Sequence, residues 1–566
     1  MNSAPIFNKT RTLNITLAQL NPTVGDINGN AKQILDTWLE HEDSCDLIIF
    51  PELFLCGYPP EDLVLNPALL KLIKETIETI CAKTANFNAA AIIPTPWIIN
   101  GGVYNAALLI EDGTIKHIFT KHMLPNYSVF DEKRVFFHGK LPDPVYFRGH
   151  KLGLMICEDM WHAGVAKHLK EQGAELLIAI NASPYNYTQH NQRLDKARAR
   201  VFETGLSLLY LNMVGGQDDL VFDGRSFVMH SGGQLLYQAP AFEKEVASIN
   251  ISNKTQIPDK QIFTLTKGSE LPTSQPNDFI LVYAALKIGL KDYVHKNGFK
   301  NVIIGLSGGI DSALCAAIAV DALGADHVHC VMMPSEFTSN ESLTDAKECA
   351  QMLGVKYDII AISDTVKAFE DAIPDLNGVA HENTQSRIRG AILMALSNEN
   401  GAMLISTGNK SEMAVGYCTL YGDMNGGFNA LKDVYKTEVF NLSKWRNAQS
   451  PVMPDNIITK APSAELREGQ TDQDSLPPYD LLDDILLLLL ENSYMDWSNA
   501  PQDLINIKEK CLKHPKAIEQ VAQLLKITEY KRSQSPIGTR ISPYAFGRDR
   551  RYPITNHFIN LIEKDE

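Results

Sequence analysis

The stretch from Asn301 to Leu323 leaves few options for the fold around it. NVIIGLS is an unbroken apolar run of strand length. It passes through a glycine-rich turn into SALCAAIAVDAL, a helix that is apolar on nearly every side. A strand without polar alternation is buried on both faces, and a helix greasy all round is a core helix. The pair therefore belongs at the centre of a layered α/β domain. HVHCVMMP, a polar helical segment, YDIIAI and AMLISTG continue the alternation, and an amphipathic helix near Phe279–Lys296 precedes it. This predicts an open parallel sheet whose ligands sit at the C-terminal ends of the strands. The remainder is helical around ILLLLL, then loop-like and basic.

The first 250 residues are patterned differently. LNITLAQL, DLIIFPE, AAAIIPTPW, KLGLMICED, ELLIAINASP and LSLLYLNMV are predicted to be buried strands, several separated by polar segments of helical length. NAALLIEDGTIKHIFTKH and SFVMHSGGQLLYQA are predicted hairpins turning at Asp112-Gly113 and Gly232-Gly233. Mixed hairpins and α/β units imply sheets covered by helices. NISNKTQIPDK and KGSELPTSQPND then interrupt the pattern. We expect one domain over 1–250, a linker over 251–277 and a second domain over 278–566, since 566 residues exceed what one core serves.

A net charge of −15 argues against nucleic acid or an anionic membrane surface as partner. Nine scattered cysteines, with no CxxC, read as reduced thiols. The opening MNSAPIFNKTRTLN lacks the apolar core of a signal peptide, and Ile485–Leu490 is too short to span a bilayer. The expectation is a soluble cytoplasmic protein.

Three chemically suited residues fall at strand ends in the first half. Glu52 closes DLIIFPE, Lys121 follows the first hairpin, and Cys157 closes KLGLMICED. Such a set suits carboxamide hydrolysis: a thiol nucleophile, a carboxylate base, and an ammonium that favours the thiolate and stabilises an oxyanion. Singly, each also reads as packing, a turn cap or a solvated charge. PELFLCGYPPEDL, KHMLPNYSVFDEKRVF, ICEDMW and NASPYN, in order, resemble the glutamine amidase domain of the nitrilase superfamily. The resemblance implies an αββα sandwich and a catalytic Glu52–Lys121–Cys157 triad. It further implies glutamine contacts from Tyr127, Ser183 and position 189, where Gln189 replaces the basic residue usual in the family.

In the second half, Gly305, Leu306, Ser307, Gly308, Gly309, Ile310, Asp311 and Ser312 form GLSGGIDS. It is neither Walker A nor GxGxxG. Glycines let successive N–H groups approach a phosphate, the helix dipole adds favourable potential, and Asp311 suits a magnesium bridging phosphate oxygens. A capped strand–helix turn is the plainer reading of SGG alone. The full SGGxDS after an apolar strand resembles the PP-loop of ATP pyrophosphatases. NTQSRIRG, ISTGNKSEMAVGYCTLYGD, APSAELREGQTDQDSLPPYDLLDDIL and SPIGTRISPYAFGRDRRYPIT narrow the resemblance to the NAD synthetases. That resemblance implies ATP contacts from Thr407 and Lys436, deamido-NAD contacts from Asn383, Glu412 and Lys531, and magnesium at Asp311 and Glu412. Arg387 and Arg389 remain either substrate contacts or helix-surface cations.

Together the two similarities span nearly the whole chain. They imply an α/β protein in which a nitrilase-like αββα sandwich precedes an open parallel-sheet PP-loop domain. Its substrates would be glutamine, ATP and deamido-NAD, with Mg2+ accompanying ATP, no prosthetic group, no nucleic acid or membrane partner, and homo-oligomeric assembly. A PP-loop amidotransferase acting on another acceptor shares SGGxDS but does not explain AELREGQTDQDSLPPY or AFGRDRRYPI.

Overall fold

The computed structural model describes residues 12–253, 261–269, 278–493, 495–550 and 561–562. The chain divides into two compact units, the first of residues 1–217 and 221–276 and the second of residues 218–220 and 277–566.

Two sheets face each other in the first unit. Among the described residues one has seven strands, ordered Gln261–Lys267, Glu245–Asn253, Thr12–Gln19, Leu47–Ile49, Ala90–Ile99, Gly102–Glu111 and Thr114–Thr120. The other has six, ordered Leu235–Gln238, Phe227–Met229, Leu208–Asn212, Leu176–Asn181, His150–Ile156 and Val145–Phe147. Alternation decides which face each residue takes. Leu13, Ile15 and Leu17 of the first sheet join Ile178, Ile180, Leu209 and Leu211 of the second in one inter-sheet core. On the outside of the second sheet, Leu177, Ala179 and Tyr210 pack with Leu169, Leu194 and Val201 from the helices Ala163–Glu171 and Gln189–Thr204. Helices Ile27–His41 and Pro67–Lys83 cover the first sheet, and buried Trp38 donates from its indole to the Ala89 carbonyl at 3.1 Å. Asp26 and Asn66 cap these two helices, with Pro67 in the first turn of the second. The result is an αββα sandwich.

Both expected hairpins form. The first turns through Asp112 and Gly113 at φ 50° and 67°, the positive pair that a two-residue turn requires. The second pairs Phe227–Met229 with Leu235–Gln238.

The expected linker over 251–277 needs correction. Its beginning completes the strand Glu245–Asn253, and Gln261–Lys267 pairs with that strand as the sheet's edge. Phe263 and Leu265 pack on the inter-sheet core while Thr264 and Thr266 face solvent. A one-sided edge strand is half polar, so its alternation is hidden in a Thr- and Lys-rich stretch.

The second unit has a wholly parallel sheet, ordered Lys356–Ile359, Val328–Met332, Val302–Gly305, Met403–Ser406 and Phe428–Asn429. Ile303, Val331 and Leu404 pack against Ile362, Val366 and Ile388, the last two on helices Ser363–Ala372 and Gly378–Asn400. Helix Ile310–Leu323 packs between Asp278–Lys296 and Lys436–Gln449 and buries residues all round, as its composition demands. A helical cluster follows, built on Leu482, Ile485, Leu486, Leu488 and Leu489, with Leu487–Glu491 wound as a π turn. Among the described residues no helix is long and apolar enough to cross a membrane.

Candidate active sites

In the sandwich unit Glu52, Lys121 and Cys157 are all buried. The Lys121 ammonium donates to Glu52 Oε1 at 2.6 Å and to Glu132 Oε1 at 2.8 Å. Glu52 is further fixed by the Asn105 amide at 2.8 Å on Oε1 and the Ala182 N–H at 3.0 Å on Oε2. Burial works against the Lys121 cation, but Glu132 and Glu52 hold its pKa well above the ordinary lysine value. Glu132 is pushed up to about 7 by burial, although Lys121 pulls the other way.

Cys157 ends the strand His150–Ile156 and precedes the single helical turn Glu158–Trp161. Its φ of 47° is a strained conformation for a non-glycine residue, of the kind that accumulates at functional sites. Its N–H donates to the Ile180 carbonyl at 2.9 Å. Burial, then Glu52, push the thiol well above its usual range, while Lys121 acts in the opposite, expected direction. The resting Cys157 side chain is a thiol. Asp159 pins the surroundings by accepting from the N–H groups of His122, Met123 and Ile156 at 3.1, 2.7 and 3.0 Å. Tyr127, half exposed, donates its hydroxyl to Glu158 Oε2 at 2.9 Å and so lies beside the nucleophile's neighbour. Ser183 is buried, one residue from the Ala182 N–H that binds Glu52. Gln189 opens the helix Gln189–Thr204, its amide oxygen accepting from Asn186 at 3.2 Å.

The second unit gathers its candidate residues where the parallel strands end. Gly305 closes its strand, Gly309 precedes the helix Ile310–Leu323, and Ser307 and Ser312 face each other at 3.1 Å between hydroxyls. Gly308, at φ 79°, lies so near helix Asn340–Leu353 that a Cβ would stand 2.4 Å from the Ser342 carbonyl oxygen. Lys436 donates to Asp311 Oδ2 at 2.5 Å and to Glu412 Oε1 at 3.0 Å, and Asn409 donates to Asp311 Oδ1 at 2.8 Å. Asn409 also caps helix Lys410–Val415 in a reciprocal box with Glu412, which sets that carboxylate's direction. Burial pushes Glu412 up to about 8, with Asp311 and Asp472 adding to the rise and Lys436 opposing it. Thr407 follows the strand Met403–Ser406 directly.

Asn383 and Lys531 each bind the segment that follows helix Lys410–Val415. Asn383 accepts from the Thr419 hydroxyl at 2.8 Å, and Lys531 donates to the carbonyls of Gly416 and Cys418 at 2.8 and 2.7 Å. Arg387 is exposed and donates to the Leu420 carbonyl, whereas Arg389 turns inward to the Met333 carbonyl at 2.9 Å. Burial lowers Arg389 to about 10.

Asp311 and Glu412 suit magnesium, which takes one or two carboxylates and completes its shell with water and substrate oxygens. Two carboxylates here share the single ammonium of Lys436. Among the described residues no larger His/Cys/Asp/Glu cluster is placed to hold a metal.

Sequence reasoning missed Glu132, Asn105, Asp159 and Asn409. Glu132 lies in VFDEKR, eleven residues after Lys121, and only the fold distinguishes it from neighbouring Asp131.

The carbon-nitrogen hydrolase model matches residues 14–258 and the NAD synthase model matches residues 282–535. The chain is 42% identical to the glutamine-dependent NAD(+) synthetase of Aquifex aeolicus, over 96% of this chain and 100% of that one. It is 45% identical to that of Rhodobacter capsulatus, over 97% and 99%. The structure of glutamine-dependent NAD+ synthetase from Acinetobacter baumannii in complex with ADP superposes with a TM-score of 0.74 at 38% identity, covering 96% of this chain and 99% of that one. Both halves of the sequence and both folds thus match proteins of one kind from end to end, and the chain belongs to the glutamine-dependent NAD(+) synthetase family.

Proposed function

We propose that this chain hydrolyses glutamine to ammonia at Cys157 and uses ammonia to amidate ATP-activated deamido-NAD at the PP-loop, giving NAD, AMP and pyrophosphate. The observation that carries the reading is that one chain holds both a buried Glu52–Lys121 pair beside Cys157 and a PP-loop facing the Asp311–Lys436–Glu412 cluster.

In the first reaction Glu52 takes the Cys157 proton as sulfur attacks the amide carbon. Lys121 stabilises the oxyanion, and collapse breaks the C–N bond while Glu52 returns its proton to the departing ammonia. Water then attacks the thioester, Glu52 accepts its proton, and the C–S bond breaks as Glu52 returns that proton to sulfur, giving glutamate and the free thiol. Ser183, Tyr127 and the neutral Gln189 would hold the glutamine. In the second reaction a carboxylate oxygen of deamido-NAD attacks the α-phosphorus of ATP and pyrophosphate leaves. Ammonia attacks the resulting acyl-adenylate, AMP leaves, and a proton is lost. Adenylation is required because a carboxylate has no useful leaving group. Gly305–Ser312, Thr407 and Lys436 would hold ATP, and Asn383, Glu412 and Lys531 the deamido-NAD. Asp311 and Glu412 would hold a magnesium ion, which when bound neutralises charge on the departing pyrophosphate. We place the enzyme in the cytoplasm as a homo-oligomer; its nine free cysteines suit a reducing compartment.

The test is a product balance. With glutamine, ATP, Mg2+ and deamido-NAD the reading requires AMP, pyrophosphate and NAD in equal amounts. ADP in place of AMP, or glutamine hydrolysis without NAD, overturns it.

A further inference from the structure

Arg193 is fully buried on helix Gln189–Thr204, one helical turn beyond Gln189. Its Nε donates to the Ser183 hydroxyl oxygen at 3.0 Å, one terminal nitrogen to the carbonyls of Ser183 and Pro184 at 2.7 and 2.9 Å, and the other to Asp223 Oδ1 at 2.6 Å. Asn212 holds the same residue through its backbone. Its amide oxygen accepts from the Ser183 N–H at 2.9 Å, and its amide nitrogen donates to the Ser183 carbonyl at 3.1 Å. The loop so held begins at the end of strand Leu176–Asn181 and includes Ala182, whose N–H binds Glu52 Oε2.

We propose that Arg193 is a positioning residue for the glutaminase reaction, setting the Ser183 hydroxyl for substrate and the Ala182 N–H for the base through one rigid loop. Asp223 answers its charge, so Arg193 is not a free cation for the glutamine carboxylate and does not stand in for the basic residue absent at 189. Its planar fork reaches one hydroxyl and two successive carbonyls at once, which a lysine ammonium cannot reproduce. A purely structural ion pair would require only the contact with Asp223. The proposal rests on the reading of Ser183 and Glu52 as parts of the glutamine site.

The experiment compares Arg193→Lys, Ser183→Ala and the double variant for glutamine-driven and ammonium-driven synthesis. It also follows the pH profile of Cys157 alkylation. Arg193→Lys is expected to raise the KM for glutamine by about tenfold or more, the worth of a hydrogen bond to a charged group. It should shift the alkylation profile, because Glu52 loses a fixed donor, and leave ammonium-driven synthesis intact. Ser183→Ala should cost less in the Arg193→Lys background than alone, since the two act as a unit. A wild-type KM and profile in folded Arg193→Lys, or strict additivity with Ser183→Ala, overturns the proposal. An unchanged KM in Ser183→Ala alone instead overturns the underlying assignment of Ser183. If Arg193→Lys does not fold, Arg193→Gln combined with Asp223→Asn removes both charges of the buried pair together and carries the same expectations.

Discussion

Cys157 rests as a protonated thiol because burial and Glu52 outweigh Lys121, so its reactivity depends on the base. Glu52→Gln should therefore abolish glutamine-driven synthesis, while alkylation of Cys157, no longer opposed by the Glu52 charge, should not slow. A variant that still makes NAD from glutamine would mean that the thiol is activated elsewhere. At the PP-loop, Asp311→Asn and Ser307→Ala should impair AMP formation while leaving Cys157 reactive toward a glutamine-like electrophile; normal AMP production by both would refute the loop's assignment. Glu412 gives a stability test. Its folded value of about 8 lies above the ordinary 4.5, so between these the folded state binds more protons than the unfolded one. Stability from this group is full below about 4.5 and falls as pH rises toward 8. Thermal unfolding should show wild type losing more melting temperature than Glu412→Gln over that range, and parallel curves would contradict the burial argument.

Elements explain which of these residues were legible in the sequence. Cys157, Gly305 and Thr407 end or directly follow strands, Glu52 lies three residues past Ile49, and apolar runs announce strand ends without any structure. The central strands Val302–Gly305 and Met403–Ser406 were equally plain, because they are buried and nearly all apolar, whereas the short edge strand Phe428–Asn429 was not anticipated. Edge strand Gln261–Lys267 was not, since among its described side chains Phe263 and Leu265 pack on the core while Thr264 and Thr266 face solvent. Glu132 and Arg193 escaped for a different reason. Each acts through contacts distant in sequence, and acidic or basic residues within polar segments look like solvated surface until the fold buries them. The strand–turn–helix of the PP-loop carries its own prediction. Gly308→Ala must adopt φ near 79° and clear the Ser342 carbonyl. Such strain is about 1–3 kcal/mol, so AMP formation should fall about ten- to a hundredfold or further. Wild-type AMP formation in this variant would show that the turn's shape does not matter.

Across the whole molecule, each unit has its own core and its own cluster of chemically matched residues, and the account divides the reaction between them. The thiol is needed only to liberate ammonia, whereas the acyl-adenylate can accept ammonia from any source. Free ammonium is mostly protonated at neutral pH, so added ammonium should serve best under alkaline conditions. The most direct measurement is NAD synthesis by Cys157→Ala, with glutamine and separately with ammonium at alkaline pH. The account predicts no NAD from glutamine and synthesis from ammonium close to wild type. A folded Cys157→Ala protein that makes NAD from glutamine, or that cannot use ammonium, would contradict it.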